Sequence, residues 1–409
     1  MLINVLDYLD SSGVPNVQAA LDDANDGDRV HLPGIQVTGA PYKSPATGPW
    51  MIRRSIEVFG DGAGHVGKSG GTTIVPGGSF DVFCIEPPDP GPSRIEYVHL
   101  HDFKITVALA TGDNGIHVKT AQVRSVGEVR IERVRVLNLG GNGFVFEGSD
   151  EYGGAIERVY LVACGAFGCG GKGLLLKRVD QATAVRYGSN ACANGGTLVE
   201  GTGAAFYRSS WENNPPPNPQ LMFNSARCAI VDAGHFEDAG GSAEVACLMD
   251  ASGGAAWVGA SSFSYPSGPP FGETVGLKTT GTVSDGPICI APNHHARVKT
   301  LIEVVQGTFG AVVMPQFTNQ QAMGGIVVPG GIVLPATSAG NPGLLASPTI
   351  SRLPAGAREF AGLILPAMGS EPTWAVQDGM LYYDSTSNQR LRARIAGAWK
   401  TVKVTAISP

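Results

Sequence analysis

Residues 131–177 read IERVRVLNLGGNGFVFEGSDEYGGAIERVYLVACGAFGCGGKGLLLK, and their internal repetition decides the fold. Ile131-Glu132-Arg133-Val134 returns as Ile156-Glu157-Arg158-Val159, with a related copy upstream at Ile95-Glu96-Tyr97-Val98. A second pattern is a glycine followed by apolar residues. It occurs at Gly115-Ile116-His117-Val118, Gly143-Phe144-Val145-Phe146, Gly173-Leu174-Leu175-Leu176 and Gly203-Ala204-Ala205-Phe206, with the glycines 28, 30 and 30 residues apart. A third sets an Asx two residues after its first member, in Cys192-Ala193-Asn194, Trp211-Glu212-Asn213 and Phe236-Glu237-Asp238. A fixed period in this range marks a solenoid, propeller or array. Each repeat holds two or three short strands and almost no helical periodicity, which excludes the helical repeats. Propeller blades are longer. A parallel β-helix remains, one coil per repeat, with Asx residues at turns where left-handed backbone is tolerated.

Composition agrees. Of 409 residues, 57 are Gly, 28 are Pro and only 16% are charged, against about 25% in an average domain. Long amphipathic helices need charged faces and avoid Gly and Pro. The net charge of −6 and the scattered Lys and Arg give no basic stripe of the kind that tracks nucleic-acid phosphates. No apolar stretch of about 18 residues is present to span a membrane, and the N-terminus has no secretory signal pattern. Seven Cys without a CxxC pair read as free core thiols made in a reducing cytoplasm.

Outside the repeats, Asn16 is placed to cap a helix over 17–24 whose Val17, Ala20, Leu21 and Ala24 share one face. Strands at 29–32 and 55–60 follow. A short helix and strands suit the covering of an open coil end. Regular coils are expected to about residue 300, a β-rich connector over 301–372, and a small β motif over 373–409 with a hairpin and third strand between 379 and 402.

Ile3-Asn4-Val5-Leu6-Asp7-Tyr8, the Gln18-Ala19-Ala20-Leu21 helix end, the Val30-His31-Leu32-Pro33-Gly34 strand and the strand-turn over 56–62 resemble the start of phage tailspikes of the pectate-lyase-like superfamily. The Gly-Asp-Gly and Asp-Asp run common in that family is replaced here by Leu9-Asp10-Ser11-Ser12-Gly13-Val14-Pro15. The segment 379–402 is similar to a β motif found at the ends of phage tail and fibre proteins. The resemblance implies a right-handed parallel β-helix and a virion appendage made in the host cytoplasm. It also implies a homotrimer that binds bacterial surface polysaccharide, with or without cutting it, and that contacts other virion proteins or an adaptor. The cap begins close to Met1, so attachment is expected through this short end, the C-terminal region or an adaptor. The alternative is a non-catalytic structural or decoration component.

Glycoside hydrolysis needs two carboxylates, about 5–5.5 Å apart for retention. Neighbouring coils stack at about 4.8 Å, so equivalent acids on adjacent coils meet that requirement. Glu212 and Glu237 are such a pair, with Asp238 as a third carboxyl and Trp211 as a plane for sugar stacking. Glu147, Asp150 and Glu151 form a second acidic group in a loop, a place where binding residues collect. Glu132 and Glu157, each beside an Arg, read as a stacked structural charge ladder. A lyase would instead draw on Lys172, Lys177, Arg178, Arg186 and Arg208, with Tyr187 or Tyr207 for proton transfer. A hydrolase is the better fit. His99 and His101 share a strand face with His117 a strand away, but polar surface is the plainer reading, and neither metal nor cofactor is expected. GxSxG, HExxH and nucleotide-binding fingerprints do not occur.

Overall fold

The computed structural model describes residues 1–63, 71–89, 94–107, 112–121, 124–149, 154–215, 218–237, 245–250, 255–264, 275–280, 288–291, 293–296 and 300–304, and beyond them the backbone of short strands between 311 and 401. Three parallel sheets of 13, 11 and 11 strands run the length of a right-handed β-helix. Each coil contributes one strand to each sheet in turn. In one coil these are Arg94–His101, Phe103–Thr106 and Ile116–Lys119, which belong to what we call sheets one, two and three.

The coil forms because apolar residues alternate inward and align across coils. In sheet one the register stacks Val58, Leu100, Ile131, Leu161, Ala184, Phe206, Val231 and Val258, all buried. Sheet two stacks Val136, Ala166, Ser189, Trp211, Phe236 and Phe263. Sheet three stacks Phe83, Ile116, Phe144 and Leu174. Equal partners in every coil make each contact repeat down the axis, so the core is a continuous column.

The N-terminal end is covered as expected. The helix Val17–Asp23 is capped by Asn16, whose side chain accepts from the Ala19 N–H at 3.0 Å, and it buries Val17, Ala20 and Leu21. All seven cysteines are free, with Cys84, Cys164, Cys169, Cys192 and Cys247 buried.

Turns between sheets one and two carry a left-handed residue in coil after coil: Asp102, Arg133, Ala163, Arg186, Arg208, Ala233 and Ala260 have φ between 49° and 63°. Turns out of sheet two do the same at Asn138, Gly168, Ala191 and Asn213.

Register corrects three alignments drawn from the repeats. Ser189 pairs with Trp211, so the coil equivalent of Trp211-Glu212-Asn213 is Ser189-Asn190-Ala191 and not Cys192-Ala193-Asn194. Leu174 pairs with Thr197, so Gly196, not Gly203, continues the series Gly115, Gly143, Gly173. Gly203 lies in sheet one. Ile156 pairs with Val126 and Glu132 with Val162, so Glu132 and Glu157 do not stack. Glu132 instead meets Arg130 and Arg133, and Glu157 meets Arg94.

Parallel pairing continues through Ile332–Val333, past the boundary expected near residue 300. Near the C-terminus, Leu381–Asp384, Arg390–Ile395 and Ala398–Thr401 form the hairpin and third strand read from 379–402.

Candidate functional site

The outer face of sheet two gathers the residues with the most usable chemistry. Where Val136, Ala166, Ser189, Trp211 and Phe236 point inward, the residues on either side point out. Read from coil to coil, these are Arg135 and Leu137, Gly165 and Phe167, Gly188 and Asn190, Ser210 and Glu212, then His235 and Glu237.

Glu212 and Glu237 are direct cross-strand partners, as their place in the repeat requires. The Asn190 amide donates to Glu212 Oε2 at 3.1 Å. His235 Nε2 lies 3.2 Å from Glu237 Oε2, and its Nδ1 lies 2.7 Å from Ser262 Oγ. The Glu237 side chain is 47% exposed.

Trp211 is not on this face. It is 0% exposed, donates its indole N–H to Thr197 Oγ1 at 2.9 Å, and stacks on Phe236 with centroids 4.8 Å apart. Adjacent residues on a strand point to opposite sides, so Trp211 and Glu212 cannot both face solvent. Asp238, Asp150 and Glu151 lie outside the described residues.

Beside the carboxylates runs an open groove of about 290 Å³ whose polar rim is Arg135, Arg186, Arg208 and Ser210. Gly165 and Gly188 form its floor, and the half-exposed Phe167 ring lies over them. A Cβ on Gly165 would stand 2.6 Å from Phe167 Cε2. Arg186 and Arg208 occupy successive left-handed turn positions, each held by a backbone N–H donated to the next coil at 2.9 Å. Their left-handed backbone is the turn that recurs in coil after coil, and it sets the two arginines one coil apart at the groove edge. Arg135, Arg186 and Arg208 have no carboxylate partner among the described residues. Arg133, two coils before Arg186 in the same turn ladder, is instead tied by two 2.6 Å bonds to Asp102. In the sequence Arg186 and Arg208 read only as lyase cations, because their stacking depends on the register of the shortened coils.

Glu147 belongs to sheet three, in register with Lys119 and Lys177. It lies 3.2 Å from His117 Nε2, and His117 Nδ1 is 2.8 Å from Asp81 Oδ2. Asn114 donates to Asp81 from its backbone and amide, at 3.1 and 2.7 Å, and the Asn142 amide donates to Asn114 at 2.7 Å. Burial pushes the Asp81 carboxyl up, but the bonds and charge of His117 and the Asn114 donors bring it below the ordinary range. Burial opposes the charged His117, yet Asp81 and Glu147 raise its pKa. This is a partly buried, mutually satisfied polar ladder. Of the lyase candidates, Tyr187 is 1% exposed in the core, and Lys172 and Lys177 sit with sheet three, away from the two arginines.

A third constellation lies outside sheet one. Glu57 accepts from Arg29 at 2.9 and 2.7 Å, and its Oε1 is 2.9 Å from His101 Nε2. His101 Nδ1 is 2.6 Å from Asp102 Oδ2. His99 Nε2 is buried with no hydrogen-bond partner. Burial, and then His101, lower the His99 pKa to about 4. His117, in sheet three, is not part of this group, and Glu57 takes the third place.

No family model and no curated protein matches the chain. Among solved structures, the ORF18 protein of Geobacillus virus E2 superposes with a TM-score of 0.53 at 12% identity, over 99% of this chain and 86% of that one. The A-module of mannuronan C-5 epimerase AlgE6 from Azotobacter vinelandii gives 0.47 at 14% identity, over 82% and 100%. Tailspike protein 3 of bacteriophage CBA120 gives 0.34 at 11% identity, over 98% and 68%. The coil register and the first of these superpositions together establish the chain as a right-handed parallel β-helix.

Proposed function

We propose that this protein is a virion appendage that binds an acidic polysaccharide of a bacterial surface along the outer face of sheet two and cleaves it there. The observation that carries this reading is the groove of Arg135, Arg186 and Arg208, which have no carboxylate partner among the described residues, running beside two carboxylates in register. Guanidinium groups bind carboxylate, sulfate or phosphate in two-pronged fashion. The half-buried Phe167 ring over a glycine floor offers a flat seat for a sugar face. A groove open along the helix axis admits a polymer rather than a single sugar.

For cleavage, the spacing of adjacent coils suits a retaining hydrolase. Glu212, oriented by the Asn190 amide, attacks the anomeric carbon while Glu237 gives its proton to the departing glycosidic oxygen. Water then attacks the glycosyl ester, Glu237 takes the water proton, and Glu212 leaves. His235, bridging Ser262 and Glu237, orients the acid.

The test is incubation with panels of capsule, lipopolysaccharide and exopolysaccharide, read by new reducing ends and by absorbance of unsaturated sugars. Reducing ends without unsaturation are expected. Removing an acid–base group costs about 10²–10⁴ in rate, so Glu237→Gln should lose cleavage by that factor while still binding. Wild-type cleavage by Glu237→Gln removes the catalytic assignment. Unsaturated products replace the hydrolase with a lyase. Arginine-dependent binding without any cleavage leaves a binding appendage, and no binding across the panel favours a structural component. The same reading gives a homotrimer, to be checked by sedimentation against the 42.4 kDa chain mass; a monomer at working concentration contradicts it.

A further inference from the structure

We propose that Glu57, His99 and His101 form a divalent transition-metal site of the zinc type, joining two successive coils on the outer face of sheet one and leaving one coordination position open. The proposal stands independently of the polysaccharide reading.

The ligand atoms are already gathered. One donor atom from each of the three side chains lies within 4.8 Å of the others, and Glu57 Oε1 and His101 Nε2 are 2.9 Å apart. Tetrahedral zinc with bonds of about 2.0–2.1 Å spaces its ligand atoms at about 3.3 Å, so closure needs at most about 1.5 Å of side-chain movement. The backbone supplies the pairing, because Glu57 is the cross-strand partner of His99.

Two details separate this cluster from ordinary polar surface. His99 Nε2 is sealed from water and has no hydrogen-bond partner, an expensive condition for a buried polar nitrogen that a metal would relieve. The far ring nitrogen of His101 is held as metal-binding imidazoles usually are: its Nδ1 meets Asp102 at 2.6 Å, and Asp102 is fixed by Arg133 through two bonds of 2.6 Å. That arrangement turns Nε2 toward Glu57 and His99. The side chains are 21%, 16% and 12% exposed for Glu57, His99 and His101, so the ligands are shielded without being fully closed off. Arg29 competes, since it donates to the same Glu57 Oε1 and must swing away.

The experiment strips the full chain of metal and titrates it with Zn²⁺ by calorimetry, and with Co²⁺ by visible absorption. One equivalent per chain is expected, with tetrahedral-type cobalt bands and a raised melting temperature. His101→Ala should abolish binding. Asp102→Asn should weaken it about 10–100-fold, Arg29→Ala should tighten it, and His117→Ala, on another sheet, should leave it unchanged. Circular dichroism confirms folding, and the isosteric Glu57→Gln serves if a histidine variant unfolds. Binding below one equivalent, or wild-type affinity in both His101→Ala and Glu57→Gln, overturns the site.

Discussion

At the scale of single residues, chemistry here follows strand parity. Glu212 and Glu237 were legible as a pair because each follows an aromatic residue in a repeat. The same adjacency, read with period two, places Trp211 in the core, where it stacks on Phe236. Glu147 was legible as an acid, but its partners His117 and Asp81 come from other coils, and no local pattern announces them. That ladder predicts a pH response. His117 has a folded pKa above the ordinary histidine value of 6.5, so its stabilisation is fully present below about 6.5 and fades as pH rises through the higher folded value. Asp81 is depressed below 3.8, so its share is present above about 3.8 and fades as pH falls through the folded value. His117→Gln should therefore lose most stability relative to wild type between about pH 4 and 6.5, and less at alkaline pH. Denaturant melts across that range decide it, and a difference that grows above pH 8 would contradict the assignment.

At the scale of elements, the stacked column makes each inward residue answer to its neighbours above and below. Trp211, Phe236 and Phe263 lie in one ladder with centroid spacings of 4.8 and 4.7 Å. Phe236→Ala removes the middle ring from both contacts and should cost about 3–5 kcal/mol. Urea unfolding with an unchanged slope measures this, and a loss under 1 kcal/mol would mean that the column relaxes around the gap. The period was readable while coils kept their length, so Gly115, Gly143 and Gly173 align as the spacing says. A Cβ on Gly143 would sit 2.5 Å from Ala166 Cβ, which explains why glycine holds that position. The coil from Ile156 to Val179 is already shorter than the one before it, and from there copies matched by composition slip. The Arg186–Arg208 ladder appears only when that slip is corrected.

At the scale of the molecule, one solenoid presents three long faces with different chemistry. Sheet one carries histidines and paired charges, sheet two stacked acids and arginines that have no carboxylate partner among the described residues, and sheet three a satisfied polar ladder. An overall charge of −6 makes a local cationic groove on sheet two the more specific attractor for an acidic polymer, since the rest of the surface repels it. The fold class was legible because periodicity is a global property of the chain. Which face works was not, because it depends on register between residues 20 to 30 apart. The most direct measurement is the affinity of the Glu212→Gln/Glu237→Gln double variant for an acidic surface polysaccharide that the wild type binds, with and without Arg186→Ala and Arg208→Ala, at low and high salt. Retained binding is expected in the double glutamine variant, with at least tenfold weaker binding when the arginines are removed and a salt dependence that shrinks with them. Equal affinity and equal salt dependence with and without the two arginines would contradict it.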